Sequence, residues 1–107
     1  MAELGNHADL EISTLVGADG IAVVSVAGEL DSASAQTLTD ATSAVLANRP
    51  KRIAFDLHAL RFMDSAGIAV LINTAREVGH VELRNPTAIV RRVIEATGLT
   101  SIFEVTP

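Results

Sequence analysis

The residue of this chain best placed for chemistry is a serine, set where a strand pattern gives way to a helix pattern. It lies in the stretch Phe62-Met63-Asp64-Ser65-Ala66-Gly67-Ile68. A hydroxyl at such a junction caps the helix and also faces outward at the helix's positive end. Two readings of Ser65 are open on these residues: a plain N-cap, or a phosphate acceptor on a docking surface. Asp64 favours the positive helix end or binds a cation that accompanies nucleotide; alternatively it only caps and solubilises the loop. Gly67 falls in the first helical turn, where glycine costs about 1 kcal/mol relative to alanine. Its presence points to a close approach, whose simplest form is tight packing on a neighbouring loop. Phe62 and Met63 are adjacent, so in an extended segment they point opposite ways. One of them fills the core and the other is left as an apolar docking contact.

Other chemistries find less support. Strand, serine and helix together suggest a nucleophile elbow, but that motif needs glycine two residues before the nucleophile, where Met63 stands. His7, His58 and His80 have neither a triad signature nor metal-ligand spacing. There is no cysteine, which removes disulfides and thiolate metal sites. No catalytic residue, metal or cofactor is therefore expected, and the chain is not read as an enzyme. The net charge of −5 argues against a duplex nucleic-acid binder, which needs a basic stripe. Arg91-Arg92 reads as a solvated helix face. Phe55, Phe62 and Phe103 are the only aromatic residues, too few for a base-stacking platform.

The elements that position Ser65 follow from periodicity. At 107 residues, 49% of them hydrophobic, the chain is expected to form a single domain over 1–107 with its core from about 10 to 105. Leu10–Val16 and the apolar run Ile21–Ala27, joined by Gly17-Ala18-Asp19-Gly20, predict an antiparallel hairpin. The second of these strands reads as buried on both faces. Gly28 to Ser32 breaks the pattern and offers Asp31 or Ser32 as N-cap of a first helix, whose inner face carries Ala35, Leu38, Ala41, Val45 and Leu46. A strand over Arg52–Leu57 follows, then a loop from His58 to Asp64. A helix opening at Ser65 runs to about Val78-Gly79, and Val81 to Arg84 forms a short strand. A third helix opens at Asn85-Pro86, with an inner stripe of Ile89, Val90, Val93, Ile94 and Thr97. Ile102–Val105 is the last strand.

The expected class is α/β, with the order β-β-α-β-α-β-α-β and mostly parallel strands. In such a sheet the loops after the strand carboxyl ends share one rim, which places Asp31 and Ser65 together. No apolar run reaches the roughly 20 residues of a membrane span. The start has no cationic segment followed by an apolar one. A cytoplasmic protein without a membrane contact is expected.

Three stretches in order carry a family resemblance: Gly28-Glu29-Leu30-Asp31, then Phe62 to Ile68, then Val90-Arg91-Arg92-Val93-Ile94-Glu95-Ala96-Thr97-Gly98-Leu99. Together they resemble the STAS domains of bacterial anti-sigma factor antagonists, from about Leu10 to Val105. The resemblance implies a partner-switching protein whose unmodified form binds an anti-sigma factor of GHKL-type kinase fold and so releases a sigma factor. It implies phosphorylation of Ser65 by that serine kinase, and reversal by a serine phosphatase. Asp31 matches the family's acidic position near the phosphorylation site, and Asp64 the acid before the serine. The docking set that follows is Asp31, Met63, Asp64, Ser65 and Gly67. A second serine common in the family is replaced by Ala66, leaving one acceptor. The family commonly carries another helix after the last strand, whereas this sequence ends at Pro107. The rival on the same fold is an unphosphorylated docking subunit of a transporter or stress-signalling complex.

Overall fold

The computed structural model describes residues 3–7, 9–98 and 100–107. Strands β1 (Glu3–His7), β2 (Leu10–Val16) and β3 (Ile21–Leu30) form an antiparallel meander. The turn between β2 and β3 closes as its residues dictate: Gly20 takes φ +83°, the Gly20 N–H donates to Gly17 O, and Asp19 Oδ1 accepts from the Ile21 N–H at 3.0 Å. Helix α1 (Ala35–Leu46) leads to β4 (Arg52–Asp56) and β5 (Leu60–Met63). Helix α2 (Ser65–Val78), strand β6 (Val81–Arg84), helix α3 (Ala88–Ala96), a 3-10 turn (Thr100–Ile102) and strand β7 (Phe103–Thr106) complete the chain. The sheet order is β1-β2-β3-β4-β6-β7, with β3, β4, β6 and β7 parallel and β5 paired in parallel to the far half of β3.

Two strands were not expected, β1 and β5. The second matters most, because it replaces the loop predicted over His58 to Asp64. Strand β4 runs beside β3 only as far as Ser25↔Asp56, and β5 takes over the same edge at Gly28↔Leu60, Glu29↔Phe62 and Leu30↔Met63. The register shifts by one residue between Gly28 and Glu29, leaving Arg61 as the extra residue of a bulge. Strand β3 correspondingly continues through Gly28 to Leu30, where a break was expected. Gly28 makes this possible: its φ is +107°, and a Cβ there would stand 2.1 Å from Asp9 O. No side chain fits that approach. The neighbouring Glu29 N–H donates to Asp9 O at 2.8 Å, and the Gly28 N–H to Ala59 O at 3.0 Å.

The expectation that β3 is buried on both faces is corrected. Ala22, Val24, Val26 and Leu30 join one core with Leu38 of α1, Leu71 of α2 and Ile94 of α3, whereas Ile21, Val23, Ser25, Ala27 and Glu29 on the opposite face are half-buried. The helices line one side of the sheet, so an unbroken apolar run is here a one-sided strand. In α3 the buried stripe is narrower than its spacing predicts. Val90 and Ile94 are buried, but Ile89 is 55% exposed and Thr97 is exposed. The α3 cap also differs: Thr87, not Asn85, receives the Val90 N–H, while Asn85 takes a positive φ of 53° in the preceding turn. Leu99, part of the family-like stretch, lies outside the described residues. No helix among the described residues is long and apolar enough to cross a membrane.

Candidate functional site

Strands β3 and β5 end side by side, at the paired residues Leu30 and Met63. The Asp64 N–H donates to Leu30 O at 3.1 Å, which fixes the two exits together. Asp31 and the Asp64–Ser65 pair therefore leave the sheet on one rim, as parallel pairing predicts.

The helix cap is not where Ser65 alone would put it. Asp64 is the N-cap, extended at φ −111° and ψ −168°, and its Oδ1 accepts from the Ala66 N–H at 2.9 Å and the Gly67 N–H at 3.3 Å. Ser65 is the first helical residue and is exposed. Both Asp and Ser are favoured caps; with the carboxylate first in sequence and already aimed at two N–H groups, the hydroxyl is left over. Among the described residues it has no hydrogen-bond partner.

Asp31 is committed on one side only. Its Oδ1 accepts from the Ala33 N–H at 3.0 Å, the Ser34 N–H at 3.1 Å and the Ser34 hydroxyl at 3.1 Å, and this Asx-type turn opens α1. Ser34 occupies the position before α1 without a side-chain cap of its own. Ser32, the alternative cap, is exposed. Asp31 itself is half-buried on the rim.

Met63 and Gly67 are set apart from the other docking candidates by burial. Met63 is 1% exposed, so the docking contact assigned to it is corrected: register opposite Leu30 turns Met63 into the core and leaves Phe62, 44% exposed, as the apolar residue facing out. Gly67 is buried too, and a Cβ on it would come within 2.7 Å of Met63 Cγ and 2.8 Å of Leu30 Cδ2. Gly67 thus lets the first turn of α2 lie on the ends of β3 and β5, two residues after the exposed Ser65.

The third rim loop is held by a residue that spacing arguments missed. Thr87 Oγ1 donates to Leu60 O at 3.0 Å, tying the start of α3 to β5. The signal was a Thr just ahead of Ala88-Ile89-Val90, masked by the apparently better Asn85-Pro86 start.

Charges on the rim are mainly acidic. Glu29 lies 3.9 Å from Arg61 across the bulge, a loose and exposed pair worth little. Arg84, at the end of β6, has its guanidinium held further above its usual range by the hydrogen bond to Glu82, partly offset by desolvation. Its charge is directed at Glu82, 3.0 Å away. His58 Nδ1 meets Asp56 Oδ1 at 3.0 Å, and His80 meets Glu104 at 2.9 Å beside Arg52. Neither ring is bonded to Ser65. The side chain of His7 lies outside the described residues. Among the described residues no group of three His, Asp or Glu side chains is arranged to hold a metal ion.

Comparisons with known proteins agree with this architecture. The family model described as "STAS domain" matches residues 13–107. The anti-sigma-F factor antagonist RsfB of Mycobacterium tuberculosis is 32% identical over 93 residues, covering 84% of this chain and 76% of that protein. The crystal structure of an anti-sigma factor antagonist from Mycobacterium paratuberculosis superposes with a TM-score of 0.77 at 38% identity, over 90% of this chain and 86% of that one. The unphosphorylated form of the anti-sigma factor antagonist SpoIIAA shares the fold, with a TM-score of 0.76 at 23% identity over 90% of this chain and 88% of that one. The chain belongs to the STAS domain family, among the anti-sigma factor antagonists.

Proposed function

We propose that this protein works by partner switching in the cytoplasm: unmodified, it binds an anti-sigma factor of GHKL-type kinase fold and frees the sigma factor, and phosphorylation of Ser65 ends that binding. The observation that carries the reading is the division of labour at the start of α2. Asp64 holds the helix cap, so the exposed Ser65 hydroxyl is available for chemistry. In the transfer the Ser65 oxygen bonds to the γ-phosphorus of ATP held by the partner, the bridging bond to the β-phosphate breaks, and ADP leaves. The hydroxyl proton passes to a base of the partner or to water. The chain is thus a kinase substrate, and a serine phosphatase restores it by hydrolysis.

The switch follows from electrostatics. Phosphate adds about −1.5 to −2 charge at neutral pH. Two negative units about 10 Å from one partner carboxylate, at an effective dielectric of 20, repel by roughly 3 kcal/mol. That weakens binding by more than about a hundredfold. Asp64 already occupies the Ala66 and Gly67 N–H groups, so compensation of the phosphate within the chain is limited to the helix-dipole contribution of about 0.3–1 kcal/mol.

The test is incubation with ATP and each purified GHKL-type anti-sigma factor from the source genome, read by intact mass and peptide mapping. Addition of one phosphate at Ser65, with loss of binding, is the expected result. Stable binding without modification would identify an unphosphorylated docking subunit instead.

A further inference from the structure

The two chain segments that leave the rim toward the helices are built alike. Leu30-Asp31-Ser32-Ala33 returns as Met63-Asp64-Ser65-Ala66. Leu30 and Met63 are paired in the parallel β3–β5 ladder, and both are buried in the core. From that pair onward the hydrogen bonds match residue by residue. Asp31 Oδ1 accepts from the Ala33 and Ser34 N–H groups at 3.0 and 3.1 Å, as Asp64 Oδ1 does from those of Ala66 and Gly67 at 2.9 and 3.3 Å. The Asp31 carbonyl accepts from the Ala35 N–H at 2.8 Å, and the Asp64 carbonyl from the Ile68 N–H at 3.1 Å. The third residue after each aspartate, Ser34 or Gly67, is small and buried, and the seventh, Leu38 or Leu71, is a leucine sealed in the core.

Ser32 therefore stands where Ser65 stands. It is exposed, and its hydroxyl has no hydrogen-bond partner among the described residues. The aspartate before it has taken the capping bonds, so the hydroxyl is left free, as at Ser65. Ser34, two residues on, is different: it is 1% exposed, with its hydroxyl donating to Glu29 O at 3.0 Å. The two free serines also lie within one footprint. Neighbouring strands are about 4.8 Å apart and each serine is two residues past a paired strand end, so the two Cα atoms are within about 20 Å. A partner surface of about 800 Å², the usual half of an interface, is roughly 30 Å across and covers both.

We propose that Ser32 is a second phosphate acceptor on this rim, modified by the same GHKL-type kinase. As at Ser65, the Ser32 oxygen bonds to the γ-phosphorus of ATP held by the kinase, the bridging bond to the β-phosphate breaks, and ADP leaves. The hydroxyl proton passes to a base of the kinase or to water. This rests on the reading of Ser65 as a kinase substrate and extends it. Ala66 removes an acceptor next to Ser65 in sequence; Ser32 supplies one beside it in space. A phosphate on either serine adds about −1.5 to −2 charge to the same docking surface and ends the encounter. A chain therefore carries one phosphate at a time. Ser65, the first residue of a regular helix, takes it in the wild type, and Ser32 takes it where Ser65 is missing.

The test incubates the full chain and its S65A, S32A and S32A/S65A variants with ATP and the purified GHKL-type anti-sigma factor that phosphorylates the wild type, read by intact mass and peptide mapping. Each substitution removes an exposed, unbonded hydroxyl, so all four proteins should unfold at closely similar temperatures. S65A should gain one phosphate, mapping to Ser32; S32A should gain one at Ser65; the double variant should gain none. An S65A chain that stays unmodified with excess kinase, or takes its phosphate elsewhere, overturns the second acceptor and leaves the Ser65 switch standing. If no anti-sigma factor of the source genome modifies the wild-type chain, both readings fall.

Discussion

With the cap on Asp64, two adjacent residues have separable costs. Asp64→Ala removes the acceptor of two helix N–H bonds and is expected to cost about 1 kcal/mol. Ser65→Ala removes an exposed hydroxyl that bonds nothing among the described residues, and is expected to change stability by less than about 0.5 kcal/mol. Urea unfolding of the two variants measures the difference; a Ser65→Ala loss as large as that of Asp64→Ala would return the cap to the serine. The separation also makes Ser65→Ala a clean control for phosphorylation of that residue, since the protein that cannot accept phosphate there should be folded normally. Sequence alone could not decide this, because Asp and Ser are near-equal caps and sit next to each other. The docking contact fell to Met63 rather than Phe62 for a related reason. Adjacent residues on a strand face opposite ways, but only pairing with Leu30 says which of them faces the core.

At the scale of elements, Gly28 is the hinge on which the rim depends. It bends β3 past Asp9 and hands its edge from β4 to β5, so that Leu30 and Met63 end together. Gly28→Ala puts a Cβ against Asp9 O at a backbone angle side chains avoid, and should cost about 3 kcal/mol or more. In a domain of this size that lowers Tm by more than about 10 °C. Gly79→Ala is the comparison: φ there is +80°, but nothing lies within 4 Å of the added carbon, so only backbone strain of about 1 kcal/mol remains. Thermal unfolding of both should rank them in that order, and equal losses would show that crowding at Asp9 is relieved cheaply. The hairpin, the three helices and the shared rim were legible because each rests on a period or a turn residue. Strand β5 was not. Its four residues are buried, exposed, exposed and buried, since the bulge at Arg61 breaks the alternation by which strands are recognised.

For the whole molecule, the question is whether phosphate acts through charge or through bulk. The chain already carries −5, and Asp31 and Asp64 leave the sheet on the same rim as the acceptor, so an added dianion adds to negative charge already there. The acceptor is exposed and outside the core, and a helix N-terminus stabilises an anion by about 0.3–1 kcal/mol, which opposes the local repulsion. The fold should therefore persist, with the far-ultraviolet spectrum unchanged and Tm displaced by only a few degrees. Charge and bulk then separate by their salt dependence. Screening acts over about 10 Å at 0.1 M ionic strength and about 3 Å at 1 M. If repulsion across the interface drives release, the ratio of phosphorylated to unmodified Kd should fall severalfold as salt rises over that range. A ratio that holds constant would mean the phosphate excludes the partner by occupying its space, and the same exposed serine would then act as a steric stop.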